Sequence, residues 1–404
     1  MKLGTEGYSP ALLEKIVHQG GKTSFREASE NLKALAGVTI SSKQVERLTE
    51  RVGSEWAAKR DQDVELFKQD RLPRNHTQSH QAAAAVMLDG GRMLTRADLG
   101  RPGVHTPTWR EPKYACCLSL DAKRNLQDPQ PEPPSKFLDA ERVRKLVREI
   151  QERTLPSRTG SAATLKPTRR KRQRKHIDRP QCVVRTALAT LAGVEDFGYQ
   201  VATEVYRRNL DQADFKACVC DGQAYNWSVW ETHLKPLGFI PVLDFLHLLT
   251  YLYSAAQASV KCPVSAWEKY TRWLQAAWAG DTALVLEQLE RDATRMGQAP
   301  DCAPENDPRR IVQSALGYVR NNRERMNYPR YRLLGLPVSS APVEALIKQF
   351  NRRVKGTEKF WLADGGEAVL QIRAAYLSTD DRASRLWASP RPYQRAVGRN
   401  RLAS

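Results

Sequence analysis

The sequence predicts an α/β fold: a mixed sheet flanked by helices, with helical additions on both sides of it. Three observations lead there. The first ~75 residues read as short amphipathic helices, the middle carries short apolar runs that end in acidic residues, and the second half is dominated by helical periodicity. With 404 residues, the chain is long enough for a sizeable core and more than one domain.

At the N-terminal end, Ser9-Pro10 opens a helix expected to reach about His18 and to be ended by Gly20-Gly21. Thr23 or Ser24 caps a second through Leu35, and Ser41-Ser42 opens a third carrying Val45, Leu48 and Val52. Three helices with glycine-containing turns over 1–63 suit a helix-turn-helix, with Lys43, Arg47 and Arg51 on the helix that would enter the major groove. A plain three-helix bundle used for packing fits the same spacing. Residues 64–81 read as a polar linker.

Residues 82–120 hold two strands, Ala82–Leu88 running into Asp89-Gly90-Gly91, and Lys113–Leu120. The pattern then breaks over 121–178, a Pro-rich and basic insertion with one charged helix, Leu138–Arg153. Between Lys166 and Arg179 there are eight Lys or Arg and one acid, including Arg169, Arg170, Lys171, Arg172, Arg174 and Lys175. Such a block either solvates as a loop or neutralises phosphates and releases their counterions. From 179 to 377 the alternation resumes: strands at Cys182–Leu191, Phe215–Cys220 and Ile240–Leu243, a helix from Val194, then helices at Leu246–Val260, Val264–Ala279, Asp281–Met296, Arg309–Asn321 and Val343–Val354. A basic tail spans 378–404.

Composition narrows the partners. Lys plus Arg number 64 against 45 acids, a net charge of +19, which favours a polyanion such as DNA; a solvated basic surface is the alternative. Seven cysteines without a CxxC pair argue against both a disulfide framework and a zinc ribbon. The most apolar stretch, Val242–Ala256, contains Asp244 and His247 and is too short to span a bilayer, so a cytoplasmic protein with no membrane partner is expected.

The chemistry-bearing feature is an apolar strand that ends in Asp-Gly, found at Leu88-Asp89-Gly90 and again at Cys220-Asp221-Gly222. Two carboxylates at neighbouring strand ends can hold divalent metal, although Asp-Gly is also an ordinary turn. Further words surround these acids: Trp109-Arg110-Glu111-Pro112-Lys113; Gln223-Ala224-Tyr225-Asn226-Trp227; Asp244-Phe245-Leu246-His247; Asn321-Asn322-Arg323-Glu324-Arg325-Met326-Asn327-Tyr328; Pro342-Val343-Glu344; and Arg353-Val354-Lys355-Gly356. In this order the chain resembles the ISKra4 family of bacterial insertion-sequence transposases, over roughly Met1 to Leu377.

The resemblance implies an RNase H-like catalytic fold of the DDE group, with Asp89, Asp221 and Glu344 as catalytic acids and ligands of Mg²⁺ or Mn²⁺. It also implies a nucleoid-associated enzyme that cuts and joins transposon ends and target DNA as a homo-oligomer, at least a dimer. Asp244 and His247 are expected in support, with a buried structural histidine as the alternative. Lys348, Arg352, Arg353 and Lys355 are expected near passing phosphates. Trp227, Trp230 and Trp361 are stacking candidates, although large aromatics more often belong to the core. The turn Ser339-Ser340-Ala341-Pro342 departs from the Gly-Ser-Gly-like turn usual in the family; proline is tolerated at a helix start. An inactive transposase-derived DNA-binding protein and another RNase H-like nuclease are the competing readings.

Overall fold

The computed structural model describes residues 8–74, 81–96, 107–154, 180–356 and 359–388. The basic run from Arg169 to Lys175 and residues 389–404 of the basic tail lie outside the described residues.

Three capped helices open the chain. Ser9 accepts the Leu12 amide at the start of α1 (Pro10–Lys22), Ser24 that of Glu27 before α2 (Phe25–Ala36), and Ser41 that of Gln44 before α3 (Ser42–Lys68). Helix α1 does not stop at Gly20-Gly21. These glycines are packing residues instead: a Cβ on Gly20 would lie 2.1 Å from Thr49 Oγ1, and one on Gly21 would lie 2.4 Å from Ile372. Helix α3 likewise runs past residue 63, and Val64 and Leu72 are buried, so the expected linker begins as an ordered helix.

The main sheet has five strands: β1 (Ala83–Gly90), β4 (Lys113–Asp121), β5 (Gln181–Thr190), β6 (Phe215–Cys220) and β7 (Ile240–Leu243). Their spatial order is β5-β4-β1-β6-β7. Strand β4 runs antiparallel to both β5 and β1, whereas β1, β6 and β7 are mutually parallel. A small second sheet pairs β2 (Met93–Arg96) with β3 (Pro107–Arg110).

The central strands are continuous apolar runs because both faces of the sheet are covered. On one face Tyr114 of β4 meets Phe350 of α12 (Ala341–Val354), with ring centroids 4.9 Å apart. On the other, Ser119 of the same strand accepts from Arg208, the residue that closes α5 (Val194–Arg207). Residues 114 and 119 point opposite ways by strand alternation. Helix α13 (Ala363–Leu377) packs on β5 and against α3, contributing Ile372 and Ala375 to the core of the three N-terminal helices. Those helices are therefore joined to the sheet through a shared core.

Between β6 and β7 lie α6 (Ala224–Val229) and a wide turn of π-helix, Trp230–Leu234. After β7 the chain builds a helical section: α7 (Phe245–Ser259), α8 (Pro263–Trp278), α9 (Thr282–Met296), α10 (Pro308–Asn322) and α11 (Tyr328–Leu333). The short α14 (Arg382–Ala388) ends the described chain. Within these residues no helix is long and apolar enough to cross a membrane.

The first half of the expected insertion is docked on the rest of the chain. Residues 122–137 form a strap on the helical section, where Trp278 Nε1 donates to the Gln130 carbonyl and Tyr270 Oη to that of Phe137. The following α4 (Ala140–Thr154) buries Val143 and Val147 in the main core. The prolines of this stretch stiffen a docked extended segment.

Asp128 clamps this strap, accepting from Arg332 Nε at 2.8 Å, while Arg332 also lies over the Trp278 ring and donates to its carbonyl. Burial works to raise the Asp128 pKa, but the hydrogen bonds from Arg332 and the Gln130 amide outweigh it and hold the carboxyl below 3.8. Removing the carboxylate leaves a buried guanidinium, so Asp128→Ala should cost about 3 kcal/mol in urea unfolding. The wild-type advantage is present above pH 3.8 and should shrink as pH falls through the lower folded value. An unchanged midpoint would show that the strap is held otherwise.

Candidate active site

Three parallel strands end level with one another. Leu88 of β1 is opposite Cys220 of β6, and Cys220 is opposite Leu243 of β7. The next residue in each strand is an aspartate, so Asp89, Asp221 and Asp244 form a row along the carboxyl edge of the sheet. Each is fixed locally. Asp89 accepts from the Gly90 amide at 2.7 Å. Asp221 Oδ1 accepts from the Gln223 amide at 3.1 Å and from Asn226 Nδ2 at 3.0 Å. Asp244 caps α7 by accepting the Leu246 amide at 3.2 Å, and its own amide donates to the Cys220 carbonyl at 2.8 Å.

Glu344 arrives from the far side of the helical section, buried in the first turn of α12. Asp244 is the residue that seats that helix. Its Oδ1 also accepts the Ser340 amide at 3.1 Å, just before α12, and its Oδ2 accepts from His247 Nδ1 at 2.5 Å. The altered turn is well formed. Ala341 N donates to Ser339 Oγ, and the amides of Val343 and Glu344 both donate to the Ser340 carbonyl. Pro342 occupies a first-turn position where its absent N–H has no intrahelical partner to lose.

Among the described residues, Asp244, His247 and Glu344 form a close-set ligand group, with one donor atom from each lying within 4.8 Å of the others. The expected trio of Asp89, Asp221 and Glu344 is not such a close-set group; Asp244 and His247 are the residues that come closest to Glu344. Charge ties all five residues together. Burial foremost, then the Asp221 charge, pushes Asp89 up to about 8. Burial raises Asp221 as well. Burial alone would lower His247, but the Asp244 hydrogen bond and the charges of Asp244, Asp221 and Glu344 bring it up to about 9. Asp244 is held low despite burial, chiefly by His247 and then by the Ser340 and Leu246 amides.

Four carboxylates against one imidazolium is a donor set suited to a hard cation. Asp244 already accepts three hydrogen bonds, which fix its carboxylate in place at this edge.

Side chains that sequence reasoning missed line this edge. Tyr318 Oη donates to the Asp221 carbonyl at 2.6 Å and its ring stacks on Tyr251 at 3.8 Å. Glu111 and Tyr225 crowd Gly90, where a Cβ would lie 2.4 Å from Glu111 Oε1 and 2.7 Å from Tyr225 Oη. Only helical spacing marks Tyr251 and Tyr318 in sequence, and it does not separate site from core.

The predicted basic residues fare unevenly. Lys348 and Arg352 are exposed on α12, as are Lys43 and Arg47 on α3, where Lys43 pairs with Glu46 at 3.0 Å. Arg51 is half-buried and pairs with Glu55 at 3.6 Å. Lys355 is partly buried, its pKa lowered by that burial and by nearby Arg92. Arg353 is a correction. It is 3 % exposed, donates to the Gly20 carbonyl and lies against the Phe25 and Trp361 rings, so its charge ties α12 to α1 and is turned away from any phosphate. Trp227, Trp230 and Trp361 are core residues; the last two donate to the carbonyls of Phe239 and Val354.

No protein-family model matches the chain, and no curated protein matches it.

In chelator, Asp89→Asn should stabilise the protein. The folded state holds a proton on Asp89 that the unfolded state has released, so wild-type stability falls as pH rises from about 3.8 to about 8 and the variant's advantage grows over that window. Thermal melts at several pH values read this; a pH-independent difference would remove the electrostatic account.

Proposed function

We propose that the chain is a DNA transposase of the DDE group with an RNase H-like catalytic domain, related to the ISKra4 insertion-sequence enzymes. The sheet supports this reading. Counting only its own strands, the order is third-second-first-fourth-fifth, antiparallel on one side and parallel on the other, a mixed sheet flanked by helices as this reading expects. The observation that carries it is the level ending of β1 and β6. It sets Asp89 beside Asp221, while a helix delivers Glu344 to the same edge.

Asp89, Asp221 and Glu344 would hold Mg²⁺ or Mn²⁺, which when bound activates a water or 3′-hydroxyl and stabilises the leaving oxygen of a phosphodiester. Asp244 positions Glu344 through Ser340 and orients His247. His247 supplies positive charge against the carboxylates. Lys348 and Arg352, exposed further along α12, are placed for the phosphates of a strand leading to the acids. Helices α1–α3 serve as a helix-turn-helix for the terminal repeats, with Lys43 and Arg47 outward on the first turns of α3. Bringing two ends together requires at least a dimer. The place of action is the bacterial nucleoid.

Strand cleavage of DNA carrying the element's ends tests the reading. With Mg²⁺ or Mn²⁺ the wild type should nick at the element boundary. Asp221→Ala should lose about 10²-fold or more while still binding the same DNA. Absence of wild-type cleavage with every divalent ion tried would overturn it. A metal titration gives a second reading: Mn²⁺ should raise the melting temperature of the wild type but not of Glu344→Gln. Equal shifts in both would place the ion elsewhere.

A further inference from the structure

The buried tryptophans cannot stack on bases, yet a surface beside the acids can. Strands β1 and β4 continue past Asp89 as a bent hairpin. Gly90 is opposite Lys113, the Gly91 amide donates to the Pro112 carbonyl, and pairing resumes with Met93 opposite Arg110 in β2 and β3. A third segment completes the ribbon. Trp361 bridges to Thr95, its amide donating to the Leu94 carbonyl at 3.1 Å and its carbonyl accepting from Arg96 at 2.9 Å.

The pairing sorts the side chains by face. Met93, Thr95 and Trp361 share the inner face, where Met93 and Trp361 both meet Gly366 of α13. Leu94, Arg96 and Trp109 share the outer face. Phe360 and Leu362, which flank Trp361, alternate onto that same side. Trp109 is 47 % exposed, Phe360 45 % and Leu362 38 %, and these are three of the eight large hydrophobics exposed among the described residues. Register and alternation assign all three to this outer face, around the buried Leu94, as one patch and not a scatter of solitary apolar residues.

The charge around this patch is mostly positive, with Glu111 just after β3 and Asp364 just beyond Leu362 as the flanking acids. Strands β2 and β3, with Arg92 just before them, carry Arg92, Arg96 and Arg110 and no acid, and Lys355 and Lys359 lie on the approach to Phe360. At ~3.3 Å per residue, Leu94 and its partner Trp109 lie within about 17 Å of Asp89 along the strand, a few nucleotides' length. Stacking planes set among cations and next to phosphodiester chemistry suit unpaired bases better than duplex, whose bases present no open face.

We propose that the outer face of this ribbon, through Trp109 and Phe360, stacks on unpaired bases of the DNA strand that lies beside the acid cluster. The proposal deepens the transposase reading and rests on it for the identity of the strand, but it is tested without catalysis. Affinity is measured in chelator for a short oligothymidylate and for a blunt mixed-sequence duplex, using wild type, Trp109→Ala, Phe360→Ala and Trp109→Phe.

Each alanine variant should weaken oligothymidylate binding about 5- to 150-fold per lost stack and leave duplex binding unchanged, while Trp109→Phe stays near wild type. Unchanged melting temperatures establish that the variants are folded. Equal losses on both DNAs, or no loss on either, overturn the proposal. So does a shift in sedimentation from dimer to monomer with oligothymidylate affinity intact, which would make the face a contact between copies of this chain. Selective loss of oligothymidylate binding in a protein that never cleaves would retain the stacking surface and remove the transposase reading. Cleavage by a wild type indifferent to oligothymidylate would do the reverse.

Discussion

The Asp244 carboxylate is the joint on which the arrangement of the site depends. It is fully buried, and it accepts from Leu246 at the start of α7, from Ser340 at the start of α12, and from His247. One side chain therefore connects the last strand of the sheet to the helix that follows it and to another almost a hundred residues further on. A buried carboxylate without such partners is costly; with them it is a strong organiser, because every element it touches must present a donor at one point. The Tyr328 hydroxyl, donating to the Leu243 carbonyl, reinforces the same corner from α11.

The charge economy of the cluster follows from this joint. His247 is held cationic by Asp244, and the imidazolium then lies among the carboxylates that a divalent ion would otherwise neutralise alone. The acid cluster thus has one positive charge built into the chain, and on the proposed reading a divalent ion would add a second, exchangeable one. The built-in charge also explains why the acids can be kept together in a buried edge without unfolding it.

Much of this was legible in sequence, and the reasons differ by element. The five strands and the long helices of the second half announced themselves through period and apolar content, because each buries a defined face. Asp89 and Asp221 stood out as repeated strand-end acids. Their alignment did not, since register between β1 and β6 is set by tertiary pairing. Gly20-Gly21 read as a stop because glycine usually is one; contact with Thr49 and Ile372, remote in sequence, made it a packing site. The same blindness to long-range contact put Arg353 near passing phosphates and left Trp361 open between core and DNA. It also gave Trp109 no role beyond its place in a motif, since exposure on a paired strand is set by its neighbours in the sheet.

Helix α3 carries a mechanical consequence. Its 27 residues at 1.5 Å each make a rod about 40 Å long, roughly the length of a dozen base pairs. It is bolted at mid-length to α13, where Gly53 admits the backbone of Ala368 so closely that a Cβ would lie 2.2 Å from its carbonyl oxygen. A rod fixed in this way behaves as a gauge. On the proposed reading, the interval between the recognised repeat and the cut phosphate is set by a rigid part, and a single residue inserted before Gly53 would turn the reading end by about 100° about the helix axis. Changes in the spacing of a site and changes in the length of this helix should then go together.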